Sequence, residues 1–199
     1  MAASPPKLYL VRHGETEWSI SGQHTGLTDK PLVPIGVERA KLLRDRLAGI
    51  EFGKVFTSPL VRASHTCELA GFADRAIVDG DLVEWDYGDY EGRTTPDIRR
   101  TRPDWKIFRD GCPGGESVDD VIRRVDRFLA HVRLLTGNTL VFSSGHAITA
   151  LALRWLDLPF TAGRNLMVGN ASVSILTTND DGTDGKVALW NDMGPVNPQ

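Results

Sequence analysis

Leu8-Tyr9-Leu10-Val11-Arg12-His13-Gly14-Glu15-Thr16 is the stretch on which the reading of this chain turns. Four consecutive apolar residues, with neither Gly nor Pro among them, read as a short strand buried on both faces. The run stops at a cation, an imidazole and a glycine. A strand that stops this way presents those groups at the carboxyl edge of a sheet, where open α/β folds place their ligands. Gly14 is expected to let the backbone turn sharply and come close to a ligand. Arg12 offers a planar fork of donors for phosphate or carboxylate, and His13 can serve as base, nucleophile or metal ligand.

Two further strands end in a comparable way. Lys54 to Thr57 reads as a short strand followed by Ser58-Pro59, with Ser58 as N-cap and Pro59 as first helical residue. Arg62 then falls in the first turn of that helix. Thr139 to Ser143 reads as another buried strand, followed by Ser144-Gly145-His146. Residues 76 to 83 suggest an extended stretch leading to Glu84 and an acidic, aromatic loop as far as Gly92. Residues 17 to 33 are long and polar, a length that marks a functional loop. Pro34 opens a helix with Val37, Ala40, Leu43 and Leu47 on one face. Ser117, with Asp120 completing a capping box, opens the longest helix, which Gly137-Asn138 is expected to stop. Val118, Val121, Ile122, Val125, Phe128, Leu129 and Val132 form its apolar face, and Arg123, Arg124 and Asp126 its solvated one. Val173 to Leu176 and Val187 to Trp190 read as a terminal hairpin. The alternation predicts a three-layer α/β/α sandwich: a mostly parallel central sheet with helices on both faces. Residues 1–199 are expected to form one domain, with 85–116 as an elaboration over the site.

Composition narrows the class. The chain of 199 residues is long enough for one substantial core. A net charge of −3 carries no basic excess and argues against nucleic acid as a partner. Cys67 and Cys112 support neither a disulfide framework nor a zinc pattern, and they fit a reducing compartment. Cys67 is expected on an apolar helix face, and Cys112 exposed in a Gly-Pro turn. Met1 to Lys7 has the character of neither a signal peptide nor an anchor, and no apolar run reaches membrane-spanning length. A cytoplasmic protein without a membrane partner is expected. The oligomeric state stays open, a homodimer included.

If the strands are parallel neighbours, Arg12, His13, Arg62, Glu84 and His146 converge on one crevice. A phosphate monoester calls for that inventory. Two guanidinium forks hold the dianion, one neutral imidazole attacks phosphorus, another donates to an equatorial oxygen, and a carboxylic acid protonates the departing alkoxide. The arginine pair takes the place of Mg²⁺, so neither a metal nor a cofactor is expected. Glu15 is expected to support the loop backbone and the Arg12 side chain. His24 and Thr25, in the long loop, are candidates for substrate hydroxyls or a second phosphate. Tyr87 is a candidate wall of a sugar site, and Trp85 beside it reads more simply as packing.

Leu10 to Thr16, Ser58 to Ala63, Glu84 before a Tyr-Gly loop, and Gly145-His146 together resemble the histidine phosphatase superfamily, in the branch that holds the cofactor-dependent phosphoglycerate mutases. The resemblance runs from about Leu8 to Trp190. It implies His13 as the phosphorylated nucleophile, Glu84 as proton donor, and Arg12, Arg62 and His146 as the phosphate pocket. Residues 16–29, 84–92 and 109–112 are similar to the sedoheptulose-1,7-bisphosphatase and acid phosphatase members. Ser19, where many members carry Asn, joins the implied substrate contacts. The implied activity is metal-independent hydrolysis of a small phosphate monoester, with sugar phosphates or bisphosphates as the expected substrates. The alternatives are mutase-type phosphoryl transfer and a non-catalytic domain that binds a phosphorylated ligand.

Overall fold

A computed structural model describes residues 6–194, so the leader expectation on Met1 to Pro5 lies outside the described residues. The strands are β1 (Leu8–Arg12), β2 (Phe52–Thr57), β3 (Ala76–Val78), β4 (Asn138–Ser143), β5 (Val173–Thr178) and β6 (Gly185–Asp192). The helices are α1 (Glu17–Ser21), α2 (Pro34–Leu47), α3 (Val61–Leu69), α4 (Thr95–Thr101), α5 (Ile107–Asp110), α6 (Val118–Val132) and α7 (Gly145–Trp155). One sheet runs in the order β3-β2-β4-β1-β5-β6. The first four are mutually parallel, β5 is antiparallel to β1, and β6 to β5.

Alternation along the buried strands sends side chains into two cores, one on each face of the sheet. Leu8 and Leu10 of β1 join Val121, Phe128 and Leu129 of α6 and Leu151 of α7. Tyr9 and Val11 join Leu43 and Leu47 of α2 and Cys67 of α3. This is the three-layer sandwich that the strand–helix alternation predicts. Segment 85–112 packs into the α6/α7 core through Trp85, Tyr90, Ile98, Trp105, Phe108 and Cys112. Cys112 is therefore buried, contrary to expectation, because the turn around it folds back onto Glu116. Burial pushes its thiol, like that of Cys67, up to about 12.

Several boundaries differ from the sequence reading, each for a local reason. Helix α3 begins at Val61, not Pro59, and Ser58 is buried rather than capping the helix. The cap comes from elsewhere: Asp29 Oδ1 accepts from Val61 N at 2.8 Å. Arg62 remains in the first turn. Helix α6 opens at the predicted Ser117/Asp120 box but ends at Val132, well before Gly137, where the amides of Leu134 and Leu135 turn to the carbonyls of His131 and Val132 three residues back. Arg124 is not on its solvated face. It is buried, donating to both carboxylate oxygens of Glu116 (2.7 and 3.0 Å) and to the Asp81 carbonyl. Only Ala76–Val78 of the extended stretch 76–83 is a strand. The Asp79 side chain then accepts from Asp81 N and caps a tight turn that swings Glu84 toward α7. The loop 17–33 contains one helical turn, α1, held by a Thr16/Ser19 capping box.

Candidate active site

Register fixes the site. Arg12 pairs with Ser143 and Thr57 with Phe142, so three parallel strands end level with one another. Beyond that edge the backbone keeps bonding, from His13 N to Ser143 O (3.0 Å) and from Ser58 N to Phe142 O (2.9 Å). A cavity of about 680 Å³ opens there, lined by Arg12, His13, Glu84 and His146.

His13 is buried, with Nδ1 donating to the Gly14 carbonyl at 2.7 Å. That bond assigns the proton to Nδ1 and leaves the Nε2 lone pair for chemistry. Burial, then the charges of Arg12 and Arg62, hold the ring's pKa well below 6.5, so it is neutral at pH 7. Asn170 fixes the backbone on the far side, its Nδ2 reaching the carbonyls of His13 and Gly14, both at 3.2 Å. Ala171 N donates to the His13 carbonyl as well. Gly14 does not have the ligand-approach role expected of it. A Cβ there would stand 2.4 Å from the Gly36 carbonyl, and one on Gly36 would stand 2.3 Å from the Glu15 carbonyl. The two glycines let the first turn of α2 lie directly against the backbone that carries His13. Glu15 supports this loop but pairs with Arg39, not Arg12.

Arg12 anchors one nitrogen, Nη1, on the Val168 carbonyl at 2.6 Å, while its Nε is buried without a hydrogen-bond partner among the described residues. Arg12 lines the cavity, so its guanidinium brings fixed positive charge to an anion there. Arg62 is fully buried and largely committed to protein: Nε to Ser144 Oγ, Nη1 to the Thr28 carbonyl, Nη2 to those of Thr25 and Gly26. It therefore pins loop 25–28 and leaves one N–H of Nη1 without a partner among the described residues. Glu91 holds the same loop from its other side, accepting from Gly26 N and Thr28 N.

Glu84 sits at the N-terminus of α7. Oε1 accepts from Ala147 N (2.8 Å) and Trp85 N (2.9 Å), and Oε2 from His146 N (3.0 Å). The buried Arg124–Glu116 pair braces it indirectly, since Glu116 accepts from Asp86 N and from the Trp85 indole. Trp85 is fully buried and packs against Phe108, which settles it as core. The Tyr87 hydroxyl is bonded to His146 Nδ1, so Tyr87 stands behind His146 as well as lining the cavity.

A family profile described as Histidine phosphatase superfamily (branch 1) matches residues 8–193. The chain belongs to that superfamily. Among its relatives, an acid phosphatase of Mycobacterium tuberculosis is 41% identical over 173 residues, covering 85% of each chain. The sedoheptulose 1,7-bisphosphatase of Saccharomyces cerevisiae is 36% identical over 192 residues, covering 79% of this chain and 70% of the yeast protein. The solved structure of open reading frame Rv3214 from M. tuberculosis superposes with a TM-score of 0.89 at 37% identity, covering 94% and 97% of the two chains.

The remaining candidates of this histidine phosphatase fall around the same cavity. His24 lines it, stacked on Tyr87 (4.6 Å between centroids, 28° between planes), with Nε2 and the Thr95 hydroxyl sharing a 3.1 Å hydrogen bond. Burial and neighbouring His146 lower its pKa to about 4. Thr25 and Ser19 line the wall too, but the Ser19 hydroxyl is engaged with Thr16 N and O in the α1 cap. Sequence reasoning missed Asn170, whose partner lies 157 residues away, and the cavity's outer wall of Arg99, Lys106, Arg109 and Arg164. The turn signals around those residues gave no direction to their side chains. Among the described residues, no helix is long and apolar enough to cross a membrane.

Proposed function

We propose that this histidine phosphatase hydrolyses a small phosphorylated metabolite, a sugar phosphate or bisphosphate, through a phosphohistidine on His13. The observation that carries the reading is the His13 ring: neutral, its proton held on Nδ1 by Gly14, its Nε2 left for a cavity that Arg12 also lines. Nε2 attacks phosphorus, the bond from phosphorus to the ester oxygen breaks, and Glu84 hands a proton to that oxygen. Water then attacks the phosphohistidine while Glu84 takes its proton, and inorganic phosphate leaves with Nε2 free again. Arg12 offsets the phosphoryl charge directly, Arg62 does so from behind with its remaining N–H, and His146 donates to an equatorial oxygen.

Residues 1–199 act in this reading as one catalytic domain, with 85–116 forming the outer wall of the site. His24, Thr25, Ser19 and Tyr87 face the organic part of the substrate. Lys106 and Arg164, at the cavity mouth, make no ion pair among the described residues, which favours a substrate bearing a second anionic group. Free, buried Cys67 and Cys112 suit a cytoplasmic setting.

The test is a panel of phosphorylated metabolites, including C6 and C7 sugar bisphosphates and phosphoglycerates, assayed for released phosphate with chelator present. Turnover by the wild type and none by His13→Ala is expected. Dependence on a divalent metal, or phosphate moved within a glycerate instead of released, would refute the reading.

A further inference from the structure

Tyr87 carries a hydroxyl that the chemistry above leaves unused. The residue is buried, and among the described residues the hydroxyl's one partner is Nδ1 of His146. A hydroxyl can donate or accept, and a neutral imidazole does one at each nitrogen. The neighbourhood decides between the two arrangements. Glu84, the nearby carboxylate, already accepts from the amides of Trp85, His146 and Ala147. If Nδ1 carried the hydrogen, the Tyr87 hydrogen would be left buried with no protein acceptor, an arrangement folded proteins avoid.

We propose that Tyr87 is a positioning residue for His146: its hydroxyl donates to Nδ1 and fixes the tautomer with hydrogen on Nε2. His146 then meets the transferred phosphate as a neutral donor. The proposal rests on the phosphatase reading above for its catalytic purpose.

The surroundings agree. Burial raises the Tyr87 pKa well above 10, so the phenol keeps its hydrogen. Burial lowers that of His146 despite the nearby carboxylate of Glu84, so the ring stays neutral. Both rings are wedged in place: His24 stacks on Tyr87, and Phe108 meets His146 edge-on at 5.3 Å. A donor fixed in this way needs no reorientation as charge develops on the phosphoryl oxygens. Nothing in the chain's local pattern points to this pairing, because the two residues lie 59 positions apart.

Protein labelled with ¹⁵N-histidine tests it, by correlating ring nitrogens with ring protons at pH 7. His146→Gln identifies the His146 signals. The wild type should show the Nε2–H tautomer. Tyr87→Phe keeps the ring and its stacking but removes the donor. It should give a tautomer mixture or an imidazolium, with kcat lowered about 10- to 100-fold and KM changed less, by analogy with losing the partner that orients a metal-bound imidazole. An Nδ1–H tautomer or imidazolium in the wild type, or an unchanged tautomer in Tyr87→Phe, would overturn the proposal. The wild-type spectrum decides by itself should the variant not fold. Because the spectrum needs no turnover, a wild type that releases no phosphate overturns the phosphatase reading independently.

Discussion

Replacing Glu84 with Gln probes both the acid–base assignment and the way the carboxylate is held. Its two oxygens accept three backbone amides, those of Trp85, His146 and Ala147. Glutamine retains one oxygen, which can keep the Trp85 and Ala147 bonds. Its NH₂ must then face the His146 amide, donor against donor. One buried N–H loses its acceptor, a loss of about 1–3 kcal/mol. The two surviving bonds lose their charge assistance, which roughly halves their strength. Together the expected destabilisation is about 2–4 kcal/mol, read from the urea midpoint at unchanged slope. Turnover should fall about 10²- to 10⁴-fold for alkyl phosphates, the span of a lost general acid. Aryl phosphates such as p-nitrophenyl phosphate should suffer far less, because their leaving group departs without a proton. Equal slowing of alkyl and aryl esters would refute the acid–base role. A variant as stable as wild type would refute the triple-amide cradle.

Three further outcomes are expected. His24 is neutral in the folded protein with a pKa of about 4, against 6.5 unfolded, so its contribution to stability is complete above pH 6.5 and is lost as pH falls toward 4. That amounts to about 3 kcal/mol by the shift, measured as the difference in urea stability between wild type and His24→Phe at pH 7 and pH 4.5. A difference independent of pH would contradict it. Gly36→Ala should lose roughly 1–3 kcal/mol and activity with it, because the new Cβ meets immovable backbone of Glu15 at 2.3 and 2.5 Å. Helix propensity alone predicts the opposite sign, so a raised melting temperature would sink the argument. Asn170→Ala, which releases the carbonyls of His13 and Gly14, should lower kcat roughly tenfold with KM little changed. Unaltered kcat would show that the bond from Ala171 N holds the nucleophile without help.

The parts of the site that sit at strand ends were legible in the sequence. Arg12-His13, Ser58 to Arg62 and Ser144 to His146 each follow a short apolar run, and a buried parallel strand leaves its next residues at the ligand edge whatever the rest of the chain does. Glu84 was legible as the carboxylate that follows an extended stretch, but not the turn that aims it, which depends on Asp79 capping Asp81 N. Gly14 was found but misread: a glycine's freedom and a glycine's smallness look the same in a sequence, and here Gly36 shows that smallness matters. Ser58 was misread because its cap is supplied by Asp29, from another loop. Arg124 looked like one of several surface charges until Glu116 and the Asp81 carbonyl gave it partners. For Gly14, Ser58 and Arg124 the missing information was a contact with another segment of the chain, which periodicity and capping rules do not encode.

The reversed direction of β5 has a consequence for how this enzyme can vary. Along the parallel strands, the residues that follow a strand reach the cavity edge; along β5, the residues that precede it do, which is how Val168 and Asn170 come to hold Arg12 and His13. The turn joining β5 to β6, from Asn179 to Asp184, consequently lies at the opposite rim of the sheet. Lengthening that turn or appending a label to it leaves the chemistry alone, whereas changes between Thr161 and Val168 remodel what the cavity admits.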